Sequence, residues 1–262
     1  MPPTQTRVSA VRVGVDAARD DTLIGLSGAL GSPSVGLPPT TVVRLPVYLR
    51  ELDLLSRSGV DSVSSGALAA AVGVSPAQLR KDLSHLGSYG TRGVGYDVAV
   101  LRAQIGRAMG SARDWPVVIV GIGNLGRALA GYFGFSDRGF RIVALVDSNP
   151  ALVGTEVNGV EISALADLEA VIAATKATIV VLAIPPAAAQ GVVDRVVNQG
   201  VTSILTFAAV VLTVPDGVIV RKVDLGQELQ ILAYYEQRKS EGAEIAARAI
   251  RSADVTPGGE GL

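Results

Sequence analysis

Leucines recur at helical spacing through the first half of the chain and give way to blocks of consecutive valine, isoleucine and alanine in the second. From Arg44 onward, Leu45, Leu49, Leu52 and Leu55 line one face and stop before Ser58-Gly59, predicting an amphipathic helix closed by a glycine. Ser64 and Ser65 precede Leu68, Ala69 and Val72, with Gly73 as a stop, and predict a second helix opened by a hydroxyl cap. Ser75-Pro76 opens a third, because serine caps and proline suits the first helical position; Leu79, Leu83 and Leu86 form its inward stripe. The glycine-punctuated segment 87–95 reads as a hairpin or wing and 98–109 as another helix.

A boundary is expected at 111–115, where the texture changes. Short apolar runs at 117–120, 141–146, 179–183 and 203–207 alternate with helical stretches at 125–132 and 187–198, which predicts a parallel, doubly wound sheet. After a short segment at 218–220, residues 224–239 form a last helix whose Leu225, Leu229, Leu232, Ala233 and Tyr235 are apolar. The expected fold is therefore α/β: a winged helix-turn-helix at 41–112, then a Rossmann-type domain at 113–223 followed by the final helix at 224–240. Residues 1–40, rich in Gly, Pro and Ser, and residues 241–262 are read as mobile tails.

Composition removes several function classes. The 262 residues include no cysteine and one histidine, His85, so a disulfide framework, a zinc finger, a thiolate nucleophile and a His-based metal site are all disfavoured. No run of eighteen apolar residues is uninterrupted, and residues 1–25 lack the apolar segment of a signal peptide, so a soluble, cytoplasmic protein with no membrane partner is expected. The net charge of −1 hides an asymmetry. Between Pro39 and Arg113 nine Arg and Lys stand against five Asp and Glu, a local excess of four positive charges that suits phosphate.

Val117-Val-Ile-Val-Gly121-Ile122-Gly123-Asn124-Leu125-Gly126 sets Gly-x-Gly-x-x-Gly between an apolar strand and a helix. Gly121 permits the tight turn, Gly123 lets backbone approach a pyrophosphate, and Gly126 allows close helix-to-strand packing. Asp147, 21 residues beyond Gly126 at the end of the next strand, is placed to accept from ribose hydroxyls and to repel a 2′-phosphate, favouring NAD(H) over its phosphorylated form. Coenzyme A and S-adenosylmethionine remain competing ligands for such a loop.

In the third helix Leu79 and Leu83 face inward, leaving Ser75, Gln78, Arg80, Lys81 and Ser84 as the outward set for a major groove. Arg80 suits guanine and Gln78 adenine, Lys81 or Ser84 suits phosphate, and Arg92 of the wing suits phosphate or the minor groove. The alternative is an NAD-dependent dehydrogenase. That reaction needs an acid or base beside the substrate carbon, and the second half offers no His or Cys and only Lys176, Lys222 and Lys239. A ligand-gated DNA-binding switch fits better than an enzyme.

Three segments resemble the redox-sensing repressors called Rex: Arg44-Leu-Pro-Val-Tyr-Leu-Arg50, then Ser75-Pro-Ala-Gln-Leu-Arg-Lys-Asp-Leu-Ser-His-Leu-Gly-Ser-Tyr-Gly-Thr-Arg-Gly-Val-Gly-Tyr96, then the glycine loop. The resemblance covers about Arg44 to Lys239 and extends to Ala130-Gly-Tyr-Phe-Gly-Phe135, Ile204-Leu-Thr-Phe-Ala208 and Lys222-Val-Asp-Leu225. It implies a homodimer whose C-terminal helix is exchanged between subunits, and a repressor released from double-stranded operator DNA by NADH. It also implies a coupling set of Arg50, Tyr132 and Asp224, whose alternative pairings report cofactor state. Three positions depart from the pattern: Thr206 and Ala209, since Thr206-Phe207-Ala208-Ala209 stands for Asn-Phe-Ala-Pro, and Leu225, which stands for an aromatic.

Overall fold

The structure is a computed structural model that describes residues 36–87, 90, 91, 93–111 and 113–253. It divides between Arg113 and Asp114 into two compact units, each with its own apolar core.

The first unit contains α1 (Pro39–Arg57), α2 (Ser65–Val72), α3 (Pro76–Ser84) and α4 (Val98–Ala108). Its caps follow the local chemistry. Ser64 Oγ accepts from the N–H of Ala67, Ser75 Oγ accepts from the N–H of Gln78, and Gly73 ends α2 at a φ of 75°. The leucine stripes converge, fully burying Leu45, Leu52, Leu68, Leu79 and Leu83 with Tyr48 and Ile105. Each such side chain contributes about 1.5–3 kcal/mol by leaving water. Helix α1 begins at Pro39, so Pro39 and Thr40 are helical although they fall within the stretch expected to be a tail.

A small antiparallel pair of β1 (Ser62–Val63) and β2 (Tyr96–Asp97) was not expected, since two residues per strand are too few to show alternation. It fastens the glycine-rich segment to the turn before α2. Gly95 makes this possible: its φ is +102°, and a Cβ there would lie 2.2 Å from the Val63 carbonyl oxygen. Beside it, Thr91 and Gly95 exchange backbone hydrogen bonds of 2.8 and 2.9 Å. Arg92, expected on the wing, lies outside the described residues.

The second unit holds a seven-stranded sheet of β3 (Trp115–Val120), β4 (Phe140–Asp147), β5 (Glu156–Val157), β6 (Val160–Ala164), β7 (Ile179–Leu182), β8 (Ser203–Thr206) and β9 (Ile219–Lys222). Their order is β5-β6-β4-β3-β7-β8-β9, all parallel except the edge strand β5. Between the strands lie α5 (Asn124–Ala130), α6 (Leu168–Thr175) and α7 (Pro186–Asn198). Alternate residues of β3 feed opposite faces, Val118 and Val120 into one core, Val117 and Ile119 into the other. This is a doubly wound sheet. Strands proceed outward from β3 through β4, then return through β7, so a crevice opens at the carboxyl ends of β3 and its neighbours.

Helix α8 (Leu225–Ala253) corrects the expected tail: residues 241–253 continue the helix, and 254–262 lie outside the described residues. Glu241, Ala243, Glu244, Ala246, Ala247, Arg248 and Ala249 are strong helix formers, and one intervening Gly242 is tolerated. Leu225, Leu229, Leu232 and Tyr235 of α8 are exposed. Among the described residues no helix is long and apolar enough to cross a membrane.

Candidate functional site

The glycine loop lies at the crevice. Gly121 leaves β3 with a φ of +93° and donates its N–H to the Val146 carbonyl at 2.8 Å; a Cβ there would lie 2.5 Å from the Ala183 carbonyl oxygen. At Gly126 a Cβ would lie 1.9 Å from the carbonyl oxygen of Gly121, so α5 packs directly on the loop. Gly123 behaves differently. A Cβ there would meet nothing within 4 Å, so this glycine bounds open space at the start of the helix. The N–H groups of Asn124, Leu125 and Gly126, in the first turn of α5, have no intrahelical acceptor. Open space beside such donors fits a phosphate-bearing ligand.

Ile122, expected in the loop that meets the ligand, makes two contacts within the unit. Its side chain is fully buried in the sheet core, and its N–H donates to Asp147 Oδ2 at 2.5 Å. Asp147, itself buried at the end of β4, accepts through Oδ1 from the N–H of Asn149 at 2.7 Å. Each carboxylate oxygen keeps a second acceptor site, so Asp147 can shape the loop and still accept from a ribose hydroxyl.

On α3 the expected outward residues separate into distinct environments. Arg80 and Lys81 are exposed, and Arg80 Nη1 donates to Ser65 Oγ at 3.2 Å, at the first turn of α2. Ser84 is exposed and donates its hydroxyl to the Lys81 carbonyl, while Ser75 is committed to capping. Gln78 is half-buried and donates through Nε2 to Asp82 Oδ1 at 3.0 Å.

Asp82 is the residue that the sequence reading missed. Only 1% exposed, it accepts five hydrogen bonds: from Thr41 Oγ1, Arg44 Nε, Arg44 Nη2, Tyr48 Oη and Gln78 Nε2. Burial pushes its carboxyl up, but the bonds from Arg44, Tyr48 and Thr41 outweigh that and hold it down at about 2. The tyrosine is driven the other way, by burial first and then by the adjacent carboxylate. The network clamps α3 to α1. A signal was available: Leu79, Asp82, Leu83 and Leu86 occupy one helical face, and a carboxylate within an apolar stripe requires a partner.

Of the three residues that the resemblance implied as a coupling set, Arg50 is exposed on α1 in the first unit. In the second unit Tyr132 is half-exposed and meets Phe135 edge to face with centroids 5.1 Å apart. Asp224 accepts from the N–H of Gln227 at 3.1 Å at the start of α8, and that bond draws its carboxyl below the ordinary range.

A helix-turn-helix unit followed by a Rossmann unit with an open phosphate cradle defines the class of ligand-responsive DNA-binding regulators. Residues 36–84 match a family model described as a DNA-binding protein N-terminus, and residues 112–210 one described as a CoA binding domain. A redox-sensing transcriptional repressor Rex of Streptomyces avermitilis is 58% identical, over 87% of this chain and 92% of the relative. The Streptomyces coelicolor repressor of that name is 55% identical over 87% and 93%, and that of Desulfitobacterium hafniense 46% over 76% and 94%. A crystal structure of RSP, in complex with NAD⁺ and operator DNA, aligns with a TM-score of 0.73 at 34% identity, covering 79% of this chain and 96% of that one. RSP in complex with NADH aligns with the same score at 33% identity, over 79% and 98%. The chain belongs to the Rex family of redox-sensing transcriptional repressors.

Proposed function

We propose that this chain acts as a homodimer that represses transcription by binding operator DNA when NADH is low and leaves the operator when NADH accumulates. The observation that carries this reading is the open cradle at Gly123 with Asp147 beside it, in a chain whose other unit is a helix-turn-helix. In it, the first-turn N–H groups of α5 hold the pyrophosphate and Asp147 accepts from the adenosine ribose. The bound nicotinamide supplies the redox state that is sensed. Arg50, Tyr132 and Asp224 carry that state to the DNA-binding unit, and the exposed apolar face of α8 is covered by the second subunit. Such coupling is reciprocal, so operator DNA weakens NADH binding by the factor that NADH weakens DNA binding. The dehydrogenase reading is set aside on the weakness of its acid and base groups and on the relatives being transcriptional repressors.

The deciding experiment is fluorescence anisotropy on promoter duplexes with sheared DNA as competitor, titrating NADH and NAD⁺ separately at fixed salt. Specific binding lost with NADH and spared by NAD⁺ is expected; cofactor binding without specific DNA binding would restore the enzyme reading.

Two substitutions dissect the sites. Arg80→Ala is expected to weaken operator binding about tenfold and leave NADH binding unchanged, because the exposed guanidinium beside Ser65 suits the DNA surface. An unshifted gel-mobility curve would remove Arg80 from the interface. Asp147→Ala is expected to weaken NADH and narrow its advantage over NADPH, since the acceptor and the repelling charge disappear together. Parallel titrations by NADH fluorescence check this, and unchanged preference would refute it.

A further inference from the structure

Residue type and place on α3 suit Gln78 to adenine, but a glutamine amide can by itself offer either a donor or an acceptor. Its surroundings settle which. An ionised carboxylate can only accept, so Asp82 Oδ1 admits the Nε2 side of the Gln78 amide and excludes the oxygen. The carboxylate cannot change sides or protonation near neutrality, because Arg44 grips both its oxygens at 2.6 and 2.7 Å while Tyr48 and Thr41 donate from two further directions. A free glutamine amide can turn over and present either a donor or an acceptor foremost. This one is held, and Oε1 receives no donor among the described residues. Gln78 is half-buried, at the edge between the inward stripe and the outward face, and with Nε2 turned to Asp82 the oxygen, on the other branch of the amide, is directed away from that carboxylate.

Resting on the reading of α3 as the recognition helix, we infer that Asp82 is a positioning residue that makes Gln78 a directional reader. The amide presents its oxygen to one base and therefore selects a base with an exocyclic amine in the major groove. Adenine offers N6–H₂ and cytosine N4–H₂; guanine O6 and thymine O4 are acceptors and would face oxygen with oxygen. The second Nε2 hydrogen remains free, which favours adenine, whose N7 it can meet.

The test begins with duplexes selected from a random library by the full-length chain, followed by competition with every single-base-pair variant of the best one. In each half-site one position should prefer adenine or cytosine over guanine or thymine by about fivefold to a hundredfold. Gln78→Ala should flatten the preference there and at no other position. Replacing the preferred base by its analogue without the exocyclic amine should weaken the natural chain by the same factor and leave Gln78→Ala unaffected. Asp82→Asn, whose amide can either donate or accept, should relax the choice at that position while the others keep theirs. If Asp82→Asn does not fold, the analogue and Gln78→Ala decide alone. A preference for guanine or thymine, a uniform loss across positions in Gln78→Ala, or a folded Asp82→Asn with unaltered choice would overturn the assignment. Absence of any specific DNA binding by the natural chain would instead remove the repressor reading, and this inference with it.

Discussion

A chain carrying Gly126→Ala is expected to keep its operator affinity and lose NADH affinity by about a hundredfold, leaving a repressor that no longer responds. The argument is steric. A Cβ at this position would sit 1.9 Å from the carbonyl oxygen of Gly121 and 2.9 Å from its carbonyl carbon, and backbone atoms have no rotamer through which to yield. Either α5 moves outward or the loop turns, and both displace the first-turn N–H groups from the cradle. Overpacking of this kind costs about 1–3 kcal/mol, occasionally more, and 2.8 kcal/mol is a hundredfold in affinity. The DNA-binding unit has its own core and should be untouched. Isothermal titration with NADH, paired with anisotropy on the operator, checks both halves. Gly123→Ala gives a contrast: its Cβ enters open space, so the fold tolerates it and any loss measures what a ligand would have occupied.

The second large effect concerns stability. Asp82→Ala is expected to destabilise the helix-turn-helix unit by about 3 kcal/mol, the lower end for breaking a buried ion pair, because the Arg44 side chain remains 22% exposed and partly solvated. Acid should act on the same group. The folded carboxyl is held at about 2, below the value near 4 of an unfolded aspartate, so its contribution is complete above pH 4 and disappears as pH falls through 2. Arg44 and Tyr48 stay protonated throughout and add no opposing slope. Urea unfolding followed at pH 7, 4, 3 and 2 should show the Asp82→Ala deficit shrinking over the last two steps. A constant deficit would mean that the carboxylate's charge is not what clamps α3 to α1.

How far the sequence reveals this molecule depends on which interaction fixes each part. The caps at Ser64 and Ser75, the leucine stripes and the glycine loop are local, and they were legible because a few consecutive residues determine them. The segment from β5 to α6 was not assigned, because β5 and β6 are short and their alternation is weak. Asn158 and Gly159, both with positive φ, form the type of turn that Asn-Gly announces, and that pair was the overlooked signal. Glycine roles at Gly121 and Gly126 followed from the motif, whereas the burial of the Ile122 side chain and the bond from its N–H to Asp147 depend on the fold. The burial of Asp82 was signalled by its place in the leucine stripe, but its partners needed the fold, since Thr41, Arg44 and Tyr48 lie 34 to 41 residues away.

With Asp147 in its proposed role, the bond from Ile122 ties two properties that protein engineers usually treat as separate dials. Changing cofactor preference in a Rossmann protein commonly begins by replacing the acid at the end of the second strand. Here that replacement also unfastens the backbone of the phosphate loop, since one oxygen of Asp147 holds Ile122 and the other holds Asn149. A lineage drifting toward the phosphorylated dinucleotide would therefore pass through an intermediate poor at binding either. Asparagine sheds the charge but keeps a single acceptor, so it can hold Ile122 only by turning its amide nitrogen toward the N–H of Asn149 and giving up that bond.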